Sequence, residues 1–329
     1  MIKIAQMGIG YWGPNLLRNL VANKNCVVKT VADFSKERCD YVNRLYPSIK
    51  TTNNSEDIIN DDDIDAIVIA TPVNTHFDLV MKGLESGKHV LVEKPMATSV
   101  SEVEQIESLA NKQKLVAMVG HTFLYNNAVR YIKKLIDNGD VGEIRYIYSH
   151  RLNLGRIRTD VDALWNFAPH DISIIQYWLD NPRPISITKR GMAYVQEGID
   201  DVVFLNIIYP NKVMAEIHVS WLDPQKIRCI TIVGTKKMIV YDDVAENKVA
   251  IYDKGIDRMA ILGTNMDYDK NGGFKFNQRS GDIIIPQIDF KEPLETEIAH
   301  FLDCIINNTE CLTGTKHAKE VVRILCREI

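Results

Sequence analysis

The feature that most constrains this fold is a glycine-rich turn between the first predicted strand and the first predicted helix, at the very start of the chain. Residues 2–7 are mainly apolar, and the turn that follows reads Gly8-Ile9-Gly10-Tyr11-Trp12-Gly13. Gly8 allows a tight turn, Gly10 lets a ligand approach the backbone, and Gly13 permits close packing of the next helix. Backbone N–H groups and the helix dipole favour a diphosphate there. The pattern predicts a βαβ unit that binds a dinucleotide.

An acidic residue selects between the two nicotinamide dinucleotides. Asp33 closes the second apolar strand, residues 27–32, where a carboxylate accepts hydrogen bonds from the adenosine ribose. A 2′-phosphate about 4 Å away would be repelled by on the order of 4 kcal/mol, or roughly three decades of affinity. We therefore expect NAD as the cofactor. Lys36 and Arg38 follow closely and offset part of the repulsion, so some use of NADP stays open.

Composition narrows the class of protein. With 329 residues, 46% of them apolar and 25% charged, the chain is expected to form two globular domains. A net charge of −4, with both signs interspersed, argues against a nucleic-acid partner. No apolar run reaches the ~20 residues of a membrane span, and the first strand starts at once, so we expect a cytoplasmic protein. Six cysteines without CxxC or zinc-ligand spacing predict reduced thiols and no metal site.

The first domain is predicted over residues 1–122. Short apolar strands at 66–70, 89–92 and 115–119 alternate with helices near 75–85 and 99–111. Such strands indicate a parallel sheet covered on both faces, with ligands at the carboxyl ends of the strands. This is the doubly wound α/β arrangement of a Rossmann domain.

A second, α+β domain is predicted over residues 123–329. A helix ending at residues 137–139 precedes long β-type segments with short connections, which indicate a large, mainly antiparallel open sheet. These segments span residues 143–153, 185–193, 202–209, 213–221 and 228–234. Residues 254–290 lack periodicity and are interpreted as an excursion near a site. The last helices, 293–307 and 315–328, are free to pack back on the first domain.

The mixed second face of the predicted open sheet favours a subunit interface. Along residues 213–221 the apolar set of Val213 to Trp221 alternates with Met214, Glu216, His218 and Ser220. A half-apolar sheet face commonly pairs with another copy, although a solvated face remains an alternative. We expect a homodimer or homotetramer.

Three segments carry side chains suited to redox chemistry. They are Thr71-Pro72-Val73-Asn74-Thr75-His76 after the fourth strand, Glu93-Lys94-Pro95 after the fifth, and Trp165-Asn166-Phe167-Ala168-Pro169-His170-Asp171 in the second domain. Oxidation of a secondary alcohol needs a base for the hydroxyl proton and a positive charge beside the developing alkoxide. Lys94 and His170 supply both. We expect Pro169 to set the first turn of a helix that His170 begins.

Together with the glycine turn, these segments resemble the Gfo/Idh/MocA family of oxidoreductases over essentially the whole chain. The most specific element, residues 87–95, resembles the family's signature for the catalytic lysine. The resemblance implies NAD-dependent hydride transfer, Lys94 as alkoxide stabiliser and His170 as general base, with a cis bond before Pro95 as in relatives. Where the family usually has an Asp, this chain has Asn166, which can orient an imidazole or the substrate but cannot stabilise an imidazolium as a carboxylate does.

Cofactor contacts are expected along the loops of the first domain. The expected cofactor-binding residues are Gly8, Ile9, Gly10, Tyr11, Trp12, Gly13, Asp33, Thr71, Pro72, Asn74, His76, Glu93, Lys94 and His121. For His121, simple packing is an equal alternative. His89 is interpreted as a core histidine, and His218, His300 and His317 are given no role.

The substrate prediction rests on an arginine cluster and on resemblance. Arginine forks suit phosphates, although salt-bridged surface arginines are a fair alternative. Residues 120–126, 151–153 and 281–286 are similar to family members that oxidise C3 of a UDP-N-acetylglucosamine-type sugar. The expected substrate-binding residues are Lys94, Tyr125, Arg151, Asn153, Arg156, Arg158, Trp165, Asn166 and His170. A dehydrogenase of a free polyol and a non-catalytic NAD-binding sensor remain the alternatives.

Overall fold

The computed structural model describes residues 1–155, 157–260 and 274–329. They form two compact units, of which the first contains residues 1–127, 172–181 and 290–329 and the second contains residues 128–171 and 182–289. The first unit therefore takes in the last two helices, as the sequence allows. The predicted domain division at residue 122 differs from these units because the chain returns to the first unit twice.

The secondary structure alternates strictly over the first 120 residues and becomes β-rich afterwards. The strands are β1 (Ile2–Met7), β2 (Cys26–Ala32), β3 (Lys50–Thr52), β4 (Ala66–Ile69), β5 (His89–Glu93), β6 (Ala117–Gly120), β7 (Ile144–Leu152), β8 (Ser186–Met192), β9 (Val202–Ile208), β10 (Met214–Ser220), β11 (Ile227–Gly234), β12 (Met238–Asp242), β13 (Val249–Ala260) and β14 (Phe274–Ile284). The helices are α1 (Gly13–Ala22), α2 (Lys36–Leu45), α3 (Glu56–Ile59), α4 (His76–Glu85), α5 (Val100–Gln113), α6 (Asn127–Asp137), α7 (Ala163–Trp178), α8 (Pro293–Asn307) and α9 (Thr315–Cys326).

The sheet of the first unit has the order β3-β2-β1-β4-β5-β6, and all of its pairs are parallel. Strand β4 is buried over its whole length, as expected for a strand with helices on both faces. The order reverses between β1 and β4, which in such sheets marks the ligand crevice. The predicted Rossmann arrangement is confirmed.

The second unit is built on an open sheet of eight described strands. Their order is β14-β13-β12-β11-β7-β10-β9-β8, and every pair is antiparallel except β7 with β10. One face is the core, because Ala215, Ile217 and Val219 of β10 are fully buried. The predicted α+β architecture with a mainly antiparallel sheet is confirmed.

Two local expectations are wrong. Residues 254–290 are not wholly irregular, because β13 and β14 occupy most of the described part and pair with each other. Helix α7 begins at Ala163, so Pro169 lies inside it and does not set its first turn. Asp162 sets the start instead, because its carboxylate accepts a hydrogen bond from the Trp165 N–H at 2.9 Å.

Candidate active site

The glycine turn after β1 requires glycine at two positions for steric reasons. Gly8 has a φ of +96°, and a Cβ there would lie 2.5 Å from the Ala70 carbonyl oxygen. A Cβ on Gly13 would lie 2.4 Å from the Gly8 carbonyl oxygen. The buried Gln6 amide fixes the turn by donating to the Gly8 and Gly13 carbonyl oxygens at 3.0 and 2.9 Å. Sequence reasoning missed Gln6, which looks like an ordinary strand residue.

Gly10 is different, because the space over its backbone is open. The nearest atom to a Cβ built there is the Arg38 Nη1, at 3.9 Å. Beside the turn, the side chains of Tyr11, Trp12 and Phe34 are 92%, 39% and 87% exposed. Exposed aromatic groups around open backbone, at the start of α1, fit a dinucleotide. Phe34 is an addition that the pattern of glycines and acid did not single out.

Asp33 is held in place by the glycine turn. Its carboxylate accepts hydrogen bonds from the Ile9 N–H at 2.7 Å and from the Ser35 N–H at 2.9 Å. The Arg38 guanidinium lies 3.4 Å away. The Ile9 N–H is therefore already bound to Asp33, and the Ile9 side chain is buried. The Arg38 side chain is half exposed, whereas that of Asp33 is buried, so the arginine offsets part of the Asp33 charge from the solvent side.

The loops after β4 and β5 are tied together by His76. Its Nδ1 lies 2.8 Å from the Pro95 carbonyl oxygen and its Nε2 lies 3.0 Å from the Thr71 carbonyl oxygen. The ring is buried, and burial lowers its pKa against the opposing effect of both carbonyls. His76 therefore ties the two loops together from a buried position, and its contact with the cofactor stays a prediction. The bond Lys94–Pro95 is cis, as the resemblance implies.

The other residues of the β4 loop are more accessible. The hydroxyls of Thr71 and Thr75 are 2.7 Å apart, while Pro72 and Asn74 are exposed. Thr71, Pro72 and Asn74 stay predicted cofactor contacts.

Two carboxyl groups, those of Glu93 and Glu297, interact near the end of β5. Glu93 accepts a hydrogen bond from the Lys94 N–H at 3.2 Å and one from the Trp12 side chain. Burial raises the pKa of Glu93 to about 7, although Lys94 opposes the rise. Glu297 of α8 is fully buried, and burial together with Glu93 raises its pKa well above the usual range. The Thr122 hydroxyl donates to it at 2.8 Å. Sequence reasoning missed Glu297, which gives no signal in an amphipathic helix.

His121, which follows β6, is packed inside the first unit. It is buried, its ring meets that of His317 edge to face at 5.1 Å, and burial lowers its pKa well below the usual value. The His317 Nδ1–H donates to the Asn181 Oδ1 at 2.8 Å, and burial lowers the pKa of His317 to about 4. Two neutral imidazoles therefore pack together here, which favours the packing alternative for His121.

Tyr125 does not face a substrate space. It is fully buried, and its hydroxyl lies 3.0 Å from the Thr313 Oγ1. The expectation that Tyr125 binds substrate is not supported, because tertiary packing that the sequence does not show encloses its ring.

In the second unit, α7 carries Trp165, Asn166 and His170. Asn166 and His170 are four residues apart and so lie on one face of the helix. All three side chains are partly exposed. The start of the helix is anchored, because Lys189 bridges Asp162 and Asp200 at 3.0 and 2.8 Å. The second unit therefore presents these three side chains from a fixed helix.

The arginines have other partners than expected. Arg151 is buried and binds Asp171 through Nε–Oδ2 and Nη2–Oδ1 contacts of 2.7 and 3.2 Å. It therefore serves as an internal cation rather than as a diphosphate contact. Arg158 pairs with Asp160 near the surface, and Arg156 lies outside the described residues. The Asn153 amide packs on Gly155, where a Cβ would lie 2.8 Å from its Nδ2.

The comparison with family models decides the classification. A model described as "Oxidoreductase family, NAD-binding Rossmann fold" matches residues 2–121, and one described as "GFO/IDH/MocA C-terminal domain" matches residues 129–240. The chain belongs to the Gfo/Idh/MocA oxidoreductase family. Its predicted membership is confirmed, and the N-terminal match covers the glycine turn, Asp33 and Lys94.

Individual relatives are distant. An uncharacterised oxidoreductase of Streptococcus pneumoniae is 24% identical over 64% of this chain, and the chain spans 60% of its length. The scyllo-inositol 2-dehydrogenase (NAD⁺) of Bacillus subtilis is 24% identical over 93% of this chain and 86% of its own. The UDP-N-acetylglucosamine 3-dehydrogenase GnnA of Acidithiobacillus ferrooxidans has a similar fold, with a TM-score of 0.80 and 20% identity over 99% of this chain and 95% of its own.

Among the described residues, no helix is long and apolar enough to span a membrane.

Proposed function

We propose that this member of the Gfo/Idh/MocA family oxidises a secondary hydroxyl of a sugar in an NAD-dependent reaction. The observation that carries the proposal is the link within the first unit between the glycine turn and Lys94. Trp12 of the turn is hydrogen-bonded to Glu93, and Glu93 accepts from the Lys94 N–H. The backbone of Lys94, which carries the cationic side chain, is thereby held at the carboxyl end of β5, in the unit with the dinucleotide motif.

The residues divide the chemistry in a simple way. The bound cofactor supplies an acceptor for the hydride that leaves the carbinol carbon. The His170 imidazole takes the hydroxyl proton, and the Lys94 ammonium stabilises the negative charge on the substrate oxygen. Asn166, on the same face of α7 as His170, orients the imidazole or the substrate. The convergence of Lys94 and His170 on one substrate is part of this proposal.

The proposed cofactor preference for NAD over NADP rests on Asp33. Its carboxylate is held by two backbone N–H groups and faces a 2′-phosphate with a like charge. We expect Asp33→Ser to improve the ratio of kcat/KM for NADP⁺ to that for NAD⁺ by up to about three decades. Asp40→Ser, an exposed acid of α2, is the matched control. An unchanged ratio in Asp33→Ser would overturn the assignment.

The proposed substrate is a nucleotide-activated sugar such as UDP-N-acetylglucosamine, oxidised at C3. Support comes from the resemblance of residues 120–126, 151–153 and 281–286 and from the fold shared with GnnA. Arg151 is no longer available as a diphosphate contact, which leaves Arg158 and Arg156 as candidates. The sugar would serve surface polysaccharide or lipid A type biosynthesis in a cytoplasmic setting.

A panel of substrates tests the proposal. NADH formation is followed with UDP-N-acetylglucosamine, its uronate, myo-inositol and scyllo-inositol, and an aminotransferase is added to remove the keto sugar. We expect turnover of a nucleotide sugar, and a loss of about 10²–10⁴-fold in kcat for Lys94→Ala and for His170→Ala. Lys24→Ala, an exposed lysine of the same unit, is the control. Full turnover in both site variants would refute the assigned roles.

A free polyol is the second candidate. The scyllo-inositol 2-dehydrogenase of Bacillus subtilis matches nearly the whole chain, and Lys94 and His170 would act on an inositol in the same way. Turnover of inositols alone would establish this candidate. Tight NAD binding without turnover of any substrate would instead favour a sensor.

The proposed homo-oligomer uses the open face of the second sheet. A row of rings covers this face, and the stacked pair Phe204 and His218 has centroids 4.1 Å apart. Phe204 is 41% exposed, which suits an interface. We expect Phe204→Glu to lower the mass measured by light scattering, whereas Phe34→Glu, on the other unit, leaves it unchanged. An unchanged mass in Phe204→Glu would exclude this face.

A further inference from the structure

A cluster of potential metal ligands lies at the end of α8, where the sequence predicts no metal site. The ligand atoms of His300, Cys304 and Cys311 all lie within 4.8 Å of one another. The His300 Nε2 and the Cys304 Sγ are 3.4 Å apart. Cys304 is fully buried, whereas His300 and Cys311 are partly exposed. The cluster is therefore closed on one side and reached by solvent on the other.

The fold brings these residues together by a helix face and a reversal of the chain. His300 and Cys304 are four residues apart in α8 and so lie on one face. The helix ends at Asn307, and Asn308, which caps it, adopts a left-handed conformation with a φ of +52°. The Thr309 N–H donates to the Cys304 carbonyl oxygen at 3.2 Å. This reversal returns Cys311 to the helix face that carries the other two side chains.

The returning segment is fixed to the Rossmann sheet. The Val119 N–H of β6 donates to the Thr313 carbonyl oxygen at 2.9 Å, and Met118 forms a bridge with Gly314. Cys311 is therefore held on one side by a strand and on the other by a helix end. Ligands on rigid elements keep their geometry better than ligands on free loops.

The observed distances suit a tetrahedral zinc-class ion. With Zn–S near 2.3 Å and Zn–N near 2.0–2.1 Å, the edges of the tetrahedron are about 3.6 Å for N···S and about 3.8 Å for S···S. The 3.4 Å between Nε2 and Sγ already matches the first edge. The two distances to the Cys311 Sγ are at most 4.8 Å, so shifts of about 1 Å bring both into range. Two thiolates and an imidazole favour Zn²⁺ over Mg²⁺ or Ca²⁺, which prefer oxygen ligands.

We propose that His300, Cys304 and Cys311 bind one Zn²⁺, with water as the fourth ligand on the partly exposed side. Binding converts two thiols and one aqueous Zn²⁺ into a dithiolate complex and releases two protons to solvent, with no change in oxidation state. The Leu312 N–H now donates to the His300 Nε2 at 3.0 Å. A metal bound to the His300 Nε2 takes the place of the Leu312 N–H at this nitrogen. The Leu312 N–H then has the thiolate of the adjacent Cys311 as its acceptor. The ion would fasten the end of α8 to the segment beside β6.

Metal titration of the whole chain tests the site without any activity assay. Chelator-treated, fully reduced protein is titrated with Co²⁺ and then with Zn²⁺. We expect one equivalent of Co²⁺ to give thiolate charge-transfer bands and the intense d–d bands of tetrahedral coordination, and Zn²⁺ to displace it. Cys304→Ser, Cys311→Ser and His300→Gln should each weaken binding by more than about 100-fold, since even outer-sphere changes cost 10–100-fold.

Two controls keep the result interpretable if a variant folds poorly. Cys39→Ser and Cys326→Ser, which alter cysteines outside the cluster, should bind metal as the wild type does. In the wild-type protein, Zn²⁺ should slow alkylation of Cys304 and Cys311 selectively, as read by peptide mass spectrometry. Absence of the tetrahedral spectrum, or unchanged binding in Cys311→Ser, would refute the site. A Cys304–Cys311 disulfide formed by peroxide, without stoichiometric metal binding in the reduced protein, would show a redox pair instead.

Discussion

Replacement of Arg151 gives the sharpest test of how the second unit is held together. Its guanidinium and the Asp171 carboxylate are 6% and 1% exposed, and the Ser149 hydroxyl also donates to Asp171 at 2.8 Å. Arg151→Met removes the cation and leaves a buried carboxylate. Loss of one partner of a buried pair costs about 3–5 kcal/mol. At about 2–4 °C per kcal/mol for domains of this size, the midpoint should fall by about 6–20 °C.

A surface pair provides the matched control. Arg158 and Asp160 are 37% and 50% exposed, and exposed pairs contribute about 0–1 kcal/mol. Arg158→Met should therefore shift the midpoint by no more than about 4 °C. Thermal unfolding followed by tryptophan fluorescence measures the midpoints of both variants, since the buried Trp221 reports on the same unit, and urea unfolding gives the differences in free energy. The free energies of unfolding of the variants are compared with that of the wild type only if their m-values agree.

A double variant separates a lost charge from a lost shape. In Arg151→Met/Asp171→Leu no uncompensated charge remains, so most of the loss should be recovered. The Ser149 hydroxyl then has lost its acceptor. An unsatisfied buried donor costs about 1–3 kcal/mol, so this part of the destabilisation remains in the double variant. Equal, small losses in Arg151→Met and Arg158→Met would refute the reasoning. If Arg151→Met left stability unchanged and raised KM for a nucleotide sugar, Arg151 would be a substrate contact after all.

Three further predictions concern the first unit. Gly13→Ala, which forces a Cβ to within 2.4 Å of the Gly8 carbonyl oxygen, should lower both the unfolding midpoint and NAD affinity, whereas Gly10→Ala should lower affinity alone in calorimetric titrations. Because the pKa of His317 is held at about 4 when folded, its contribution is complete above pH 6.5 and about 3 kcal/mol is lost as the pH falls to 4; His317→Gln should flatten this dependence in urea titrations at several pH values. The pKa of Glu297 is raised by burial, so the folded protein keeps this carboxyl protonated where the unfolded chain would ionise it. The free energy of unfolding therefore falls as the pH rises above about 4.5. Glu297→Gln should therefore raise stability at pH 8 and change little at pH 4, and the opposite trend would show that Glu297 is ionised.

The Rossmann sheet was predictable because its signals are local. A glycine turn, an acid at the end of β2 and short apolar strands each depend on neighbours within a few residues. The same holds for α8, whose predicted bounds agree with Pro293–Asn307. Helix α7 failed because two local signals compete. Pro169 suggests a helix start, but the Asp162 carboxylate caps the chain about two turns earlier.

The site details depended on contacts between distant segments. The sequence shows Asp171 next to His170 but not the pairing of α7 with β7 that gives this carboxylate to Arg151. It shows Tyr125 beside the β6 loop but not Thr313, which encloses the hydroxyl from 188 residues away. Residues His300 and Cys304 carried a readable four-residue spacing, yet Cys311 completes the set only because the chain reverses at Asn308.

The commitment of Asp171 changes how the proposed base works. The carboxylate next to His170 in sequence is already bound by Arg151 and Ser149, so it serves the interior of the second unit. The residue one turn before His170 is Asn166, a neutral amide that can orient an imidazole without stabilising its cation. In the proposed mechanism, protonated His170 therefore gains less from this position than it would from a carboxylate. In that mechanism Lys94 supplies more of the stabilisation of the alkoxide charge, and burial raises the pKa of the neighbouring Glu93 to about 7.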